Sequence, residues 1–252
     1  MSLRAALIVL LAFVLAGCVT TGKQDPLKTT KGRQEARDAY IQLGLAYLQG
    51  GNTERAKVPL SQALALDSSS ADAHAALALV YQTEMETKLA ETEYRKALSE
   101  RSDDARIWNN YGAFLFEQKR YKDAYDAYTK ATADSLYPER SRVFANLGQV
   151  CISMGDRAQA KQLFEKSLRL NRRQPGALLD MAQLSYEDRE YVPARDYYEQ
   201  YLQQGQQNAR SLLLGVRLAK VFDDKDTAAS YGLQLKRLYP ASPEYQAYQA
   251  GK

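Results

Sequence analysis

The chain is poor in the residues that most enzyme chemistry needs. Its 252 residues include one histidine, His74, two cysteines, Cys18 and Cys151, and one tryptophan, Trp108. A single histidine leaves one place where a Ser-His-Asp or Cys-His arrangement could be built, and no nucleophile motif accompanies it. Neither CxxC nor a histidine-rich spacing offers a metal site, and no glycine-rich phosphate loop or zinc-protease motif is present. Charge is balanced as well: 34 Lys and Arg against 30 Asp and Glu, a net +4, with the signs mixed along the chain. Nucleic-acid binding needs a clustered basic face, which this mixing does not supply. The longest apolar run, residues 5–16, is too short to span a bilayer as a helix, which takes about 20 residues. The chain is therefore expected to have no catalytic residues, no metal, no cofactor and no nucleic-acid partner.

What is present is a period. Ala56, Ala90, Ala124, Ala160, Ala194 and Ala228 stand 34, 34, 36, 34 and 34 residues apart. That is the length of a tetratricopeptide repeat, one helix–turn–helix unit whose apolar face only a neighbouring unit can cover. Aligned on the alanines, the units are 37–70, 71–104, 105–140, 141–174, 175–208 and 209–242. The first reads Tyr40, Leu43-Gly44, Tyr47, Ala56, Leu60 and Ala63, similar to the family pattern W-x2-L-G-x2-Y followed by A, F and A. The third carries Trp108, Tyr111-Gly112, Leu115, Ala124, Tyr128 and Ala131; the fourth has Phe144, Leu147-Gly148, Cys151, Ala160, Phe164 and Ser167. The expected fold is all-α, a right-handed superhelical solenoid of about six such repeats. Small residues at Gly44, Gly112 and Gly148 let the two helices of a unit (A, then B) approach, and Tyr94, Tyr128, Phe164 and Tyr198 fill the space beside the alanines. Within each helix these positions form one buried stripe. Gly50-Gly51-Asn52 and Gly155-Asp156 mark turns that accept a positive φ. His74 falls where Tyr40 and Trp108 sit and reads as a packing residue; Cys151 reads as a small buried hydrophobe. Pairs such as Glu84/Glu86 and Asp223/Asp224 read as solvated turn charges. Two irregularities stand out. Two extra residues enter at 134–138, where Pro138 is expected to stop the preceding helix. The sixth unit has Gly215-Val216 and Gly232 where larger side chains belong, and residues 243–252, with Tyr245 and Tyr248, are expected to cap it.

The start of the chain carries an address. Arg4 precedes the apolar run, which ends in Leu15-Ala16-Gly17-Cys18. This layout is that of a signal peptide over residues 1–17, and its end resembles the bacterial lipobox, in which the cysteine is acylated and becomes the mature N-terminus. Cys18 is the expected lipidation site. Residues 18–34 lack apolar periodicity and are expected to form a flexible tether. Val19, by resemblance to lipoprotein sorting, implies passage by the sorting machinery to the inner leaflet of the outer membrane, facing the periplasm.

Tetratricopeptide grooves are lined by the second, fifth, ninth, twelfth and thirteenth positions of each A helix. These offsets give Asp38, Ile41, Leu45, Leu48 and Gln49 in the first unit. The second unit gives Asp72, Ala75, Leu79, Gln82 and Thr83, and the third Arg106, Asn109, Ala113, Phe116 and Glu117. The candidate partner groove is Ile41, Leu45, Leu48, Gln49, Leu79 and Phe116, apolar and set in the N-terminal half. Asn110 and Asn146 match one element of a carboxylate-clamping groove. Ala113 and Ala145 stand where its other polar residues belong, so both asparagines are expected to bond neighbouring backbone instead.

Lipobox and six repeats together resemble the type IV pilus biogenesis and stability lipoproteins, the pilotins of the pilus secretin. The resemblance runs end to end and is carried by residues 16–22 and 35–44, by Tyr94-Arg95-Lys96-Ala97-Leu98 and residues 137–142, and by residues 208–240. It implies a protein, monomeric when free, that holds secretin subunits while its lipid rides to the outer membrane, promoting secretin localisation and multimerisation and hence twitching motility. A general periplasmic scaffold lipoprotein would share the anchor and solenoid and differ in its partner.

Overall fold

The computed structural model describes residues 25–204 and 207–251. Cys18, the signal peptide and the first part of the tether lie outside them. The described residues form thirteen α-helices and no strand, preceded by a short 3-10 turn at Pro26–Lys28. The helices are α1 (Thr30–Gln49), α2 (Thr53–Leu66), α3 (Ala71–Thr83), α4 (Thr87–Glu100), α5 (Ala105–Glu117), α6 (Tyr121–Ala131), α7 (Arg140–Met154), α8 (Arg157–Leu170), α9 (Pro175–Glu187), α10 (Tyr191–Leu202), α11 (Ala209–Val221), α12 (Lys225–Leu238) and α13 (Pro243–Gln249). None is long and apolar enough to cross a membrane. The chain divides into two compact units, residues 1–90 and 91–252. In the first, α1 packs on α2 and α2 on α3; in the second the pairs are α5/α6, α7/α8, α9/α10 and α11/α12, and α13 lies on the last pair.

Three of the helical pairs are locked by a ring or branched side chain from the B helix seated over a glycine of the A helix. A Cβ placed on Gly44 would stand 2.5 Å from Leu60, one on Gly112 2.8 Å from Tyr128, and one on Gly148 2.5 Å from Phe164. No carbon fits at those distances, so the glycines are required by packing. Ala56, Ala90, Ala124, Ala160 and Ala194 are all fully buried, whereas Ala228 in the last pair is half-buried. Gly232, the residue that looked like a worn position, receives the ring of Tyr248 from α13. Tyr245 and Tyr248 pack with Leu212, Leu213, Val216 and Leu235, covering the end of the array.

The turn inside each pair uses one left-handed residue: Gly51, Met85, Lys119, Gly155, Arg189 and Asp223, at φ between 56° and 84°. The turn closes in each case on the same carbonyl. Asn52, Glu86, Arg120, Asp156, Glu190 and Asp224 donate their backbone N–H to Tyr47, Tyr81, Leu115, Cys151, Ser185 and Ala219, at 2.8–3.0 Å. This is the Schellman arrangement. Four of the six left-handed residues are not glycine, so the turn geometry is imposed by the packing of the pair against local preference.

Four expectations need correction. Residues 30–34 are not tether: α1 begins at Thr30, capped by the Thr29 hydroxyl accepting from the Gly32 amide at 3.0 Å. Arg33 donates to the Leu66 carbonyl at 3.0 Å and Arg37 to Asp67 at 2.7 Å, tying this extra length to the end of α2. Leu43 is not part of the buried stripe and is 45% exposed. The matching residues are covered, Tyr111 by the ring of Tyr94 at 5.4 Å, but no described helical pair precedes Leu43. Pro138 does not end the preceding helix, because α6 stops at Ala131; the connection then holds Arg140, whose Nε donates to the Thr132 carbonyl at 3.0 Å. Glu84 is not a solvated charge, for it is mostly buried and pairs with Lys57 at 2.9 Å.

Gly148→Ala is expected to destabilise by about 1–3 kcal/mol, since Phe164 is fully buried and has nowhere to move. Gly176→Ala, where a Cβ meets nothing within 4 Å, stays within about 0.5 kcal/mol of the parent. Lys119→Gly relieves the left-handed turn and stabilises by up to about 1 kcal/mol. Urea unfolding of the three variants checks all of this.

Candidate functional site

The groove residues anticipated from the offsets fall in both units, and each unit is described by itself. In the first, Ile41, Leu45 and Leu48 follow one another at helical spacing on one face of α1. Ile41 is 5% exposed and packs with Ala63 and Ala73, so it belongs to the core and is not free to meet a partner. The cause is α3, whose N-terminal residues close over that end of the stripe. Leu45 and Leu48 are half-buried against Ala56, Leu60, Ala76 and Leu77, and Gln49 is exposed at the end of α1. Leu79 is half-buried on α3. In the second unit Phe116 is half-buried and leans on Tyr121, ring centroids 5.5 Å apart.

Neither His74 nor Cys151 is available for chemistry. The His74 ring nitrogen Nε2 is 3.1 Å from the Ser68 carbonyl, and the Trp108 indole N–H donates to the Ser102 carbonyl at 2.7 Å. Both rings bridge to the residue six places earlier, so histidine does the same structural job as tryptophan. Cys151 is fully buried, its thiol facing Gln159, and burial with Asp156 nearby pushes its pKa up to about 11. A thiol held neutral in this way is a poor nucleophile. Among the described residues no group of three or more His, Cys, Asp or Glu is placed to hold a metal ion. Asn146 does not bond backbone as expected; its amide donates to the Asn109 side chain at 3.3 Å, a link between α7 and α5.

A second place was not anticipated. In the second unit a cleft of about 400 Å3 runs across α7, α9 and α11. Gln149 and Ile152 come from α7, Gln183 and Glu187 from α9, and Arg210, Leu213 and Arg217 from α11; Arg157 and Glu244 add to its walls. The offsets that gave the first-unit groove give seven of these residues when carried on to the last three units. No apolar pattern marks them along the chain, because this stretch is polar.

Asp180 lies at the base of the cleft, 4% exposed, in the position that Asn110 and Asn146 hold in the third and fourth units. Gln149 donates to its Oδ2. Arg210 Nη1 stands 2.6 Å from Oδ1 as an ion pair without a hydrogen-bonding angle, and Oδ1 accepts no other bond. Burial raises the pKa of Asp180 above the ordinary carboxylate value despite the opposing pull of Arg210 and Gln149. On the neighbouring wall Arg157 engages Glu187 and, at 2.9 Å, Asp188, while Gln183 donates to Glu187 at 2.6 Å. Burial acts to raise Glu187 too, yet Arg157 and Gln183 bring it below its usual value. Of the three carboxylates lining the cleft, Asp180 is disfavoured by burial and Glu187 is stabilised, and both are paired with arginines.

The tetratricopeptide-repeat family models match residues 38–70, 103–173 and 146–209. The chain is 69% identical over 252 residues, all of both proteins, to the type IV pilus assembly protein PilF of Pseudomonas aeruginosa. A solved structure of Pseudomonas aeruginosa PilF superposes with a TM-score of 0.84 at 70% identity, covering 88% of this chain and 100% of that one. The structure of PilW, described as a widely conserved type IV pilus biogenesis factor, superposes with a TM-score of 0.73 at 28% identity over 84% of this chain and 98% of that one.

The raised pKa of Asp180 fixes the sign of a pH effect. Its folded-state value lies above its unfolded one, so the folded chain binds the proton more tightly and this group's contribution to stability falls as pH rises through the raised value. The stability of the parent minus that of Asp180→Asn is expected to fall between about pH 4 and about pH 7. Urea unfolding of both proteins at the two pH values measures it; a difference that is flat or rises contradicts the assignment.

Proposed function

The chain belongs to the PilF family of type IV pilus assembly proteins, built of tetratricopeptide repeats, and from this we propose that it acts as a pilotin. Its role is in type IV pilus biogenesis. In the finer reading, the repeats hold secretin subunits while a lipid on Cys18 carries the complex to the inner leaflet of the outer membrane, where the secretin multimerises. The observation that carries this reading is the 69% identity over the whole length of both chains.

The physical arrangement suits the task. A covalent lipid localises without needing a spanning segment, and a repeat surface binds a protein without needing catalysis. Leu45 and Leu48 offer partly uncovered apolar surface on α1, the described helix nearest in sequence to Cys18. Leu43, 45% exposed, faces the other side of α1 and is not part of that surface. Ile41 drops out of the binding set because it is core.

Cys18→Ser is expected to move the protein from the membrane fraction to the soluble periplasm and to reduce secretin multimers in the outer membrane. Leu48→Glu is expected to lower secretin co-purification from solubilised outer membranes while circular dichroism stays helical. Unchanged fractionation of Cys18→Ser refutes the anchor. Recovery of other envelope proteins and no secretin assigns the chain to general periplasmic scaffolding instead.

A further inference from the structure

We propose that Leu27, Lys28 and Lys31, at the start of the first unit, form a contact surface for an anionic phospholipid bilayer, which holds the head of α1 in the headgroup layer. The inference rests on the lipid at Cys18 and adds a second, non-covalent hold on the same membrane. Because α1 begins at Thr30, the tether is shorter than its sequence pattern suggests. Asp25, where the described structure begins, stands only seven residues after Cys18. Fully extended, that length reaches about 25 Å, so the turn at Pro26–Lys28 is confined near the acylated cysteine.

The charge of this stretch has one sign. Residues 18–34 hold Lys23, Lys28, Lys31 and Arg33 against Asp25 alone. Residues 35–252 hold 29 basic and 29 acidic residues. The repeats are therefore neutral as a whole, and the positive surplus that follows residue 17 lies beside the anchor. Asp25 is turned onto its own turn, where its Oδ1 accepts from the Leu27 amide at 3.1 Å. Lys28 is exposed, and Lys31 meets Glu35 only at 3.8 Å, with the two side chains 86% and 68% exposed. So loose a pair holds the lysine weakly against an anionic surface.

Local bonds fix the geometry. The Lys28 amide donates to the Asp25 carbonyl at 2.9 Å and closes the turn, and Thr29 then caps α1. Arg33 and Arg37 tie the first turns of α1 to the end of α2. Leu27, 47% exposed on this fixed turn, supplies an apolar side chain of the kind that settles at the boundary of headgroups and acyl chains. The potential of an anionic surface decays over about 8 Å at physiological salt, less than the reach of the tether. The lipid alone therefore leaves the lysines free to stand outside that potential. Their own attraction, about fivefold in affinity for each basic residue, draws them into it. A protein partner at this place would have to displace a bilayer that is never more than about 25 Å away.

The test uses the full lipidated protein, purified from membranes and reconstituted on vesicles whose lipids carry a nitroxide at the headgroup. Thr30→Cys, an exposed position, takes a small fluorophore, since Cys18 is acylated and Cys151 is fully buried. Vesicles of phosphatidylcholine are compared with vesicles containing about one third phosphatidylglycerol. The anionic vesicles should quench the label at least about twofold more, and about 0.5 M NaCl should abolish the difference. Lys28→Glu/Lys31→Glu should abolish it as well, and Leu27→Ser should reduce it, with circular dichroism unchanged. Equal quenching on both vesicles, no quenching on either, or a difference that survives Lys28→Glu/Lys31→Glu overturns the proposal and leaves the patch to a protein partner. Flotation reports the anchor separately. Protein that fails to float with phosphatidylcholine vesicles refutes the lipid and this inference with it, whereas protein that floats with both but shows no charge-dependent quenching refutes the surface contact alone.

Discussion

The structure depends on one contact made repeatedly, a large B-helix side chain pressed against an A-helix residue that has almost no side chain. Leu60 over Gly44, Tyr128 over Gly112 and Phe164 over Gly148 bring two helices close enough to exclude water from both backbones. The contact is steric and unforgiving, because the receiving position cannot accept a Cβ without displacing a fully or nearly fully buried side chain. It also dictates the turns. Once the helices are this close, the chain must reverse in a few residues, and the left-handed residue appears at the same place in every pair, even as Met85, Lys119, Arg189 or Asp223. The array ends by the same device, with Tyr248 from α13 occupying the space that Gly232 leaves.

This scaffold leaves the A helices free to vary on the surface away from the B helices, and the two units use that freedom differently. In the first, α1 leaves partly uncovered apolar surface at Leu45 and Leu48. In the second, α7, α9 and α11 build a polar cleft around a buried carboxylate.

Much of this was legible along the chain. The alanine period, the glycines, and the roles of His74 and Cys151 follow from residue size at fixed offsets, and size is a local property of sequence. The exceptions have a common cause. Leu43 matches the consensus of a buried position, and Ile41 that of a groove position, yet their exposures are reversed. Whether a side chain on an A helix is covered depends on which neighbouring helix lies above it, and the consensus does not encode that for the first unit. Pro138 stood out as a helix stop, but α6 had already ended at Ala131.

The sequence by itself determined the fold, because a 34-residue period of small and large residues admits one way to pair helices and stack the pairs. The likeness of residues 15–18 to a lipobox is likewise visible as a linear string. Tertiary structure alone decided which polar side chains meet. Asp180, Gln149 and Arg210 are 31 and 30 residues apart in sequence and form a site only when α7, α9 and α11 lie side by side. Burial and charge pairing are properties of three-dimensional neighbours, and no spacing along the chain reveals that a carboxylate will be enclosed with an arginine across it.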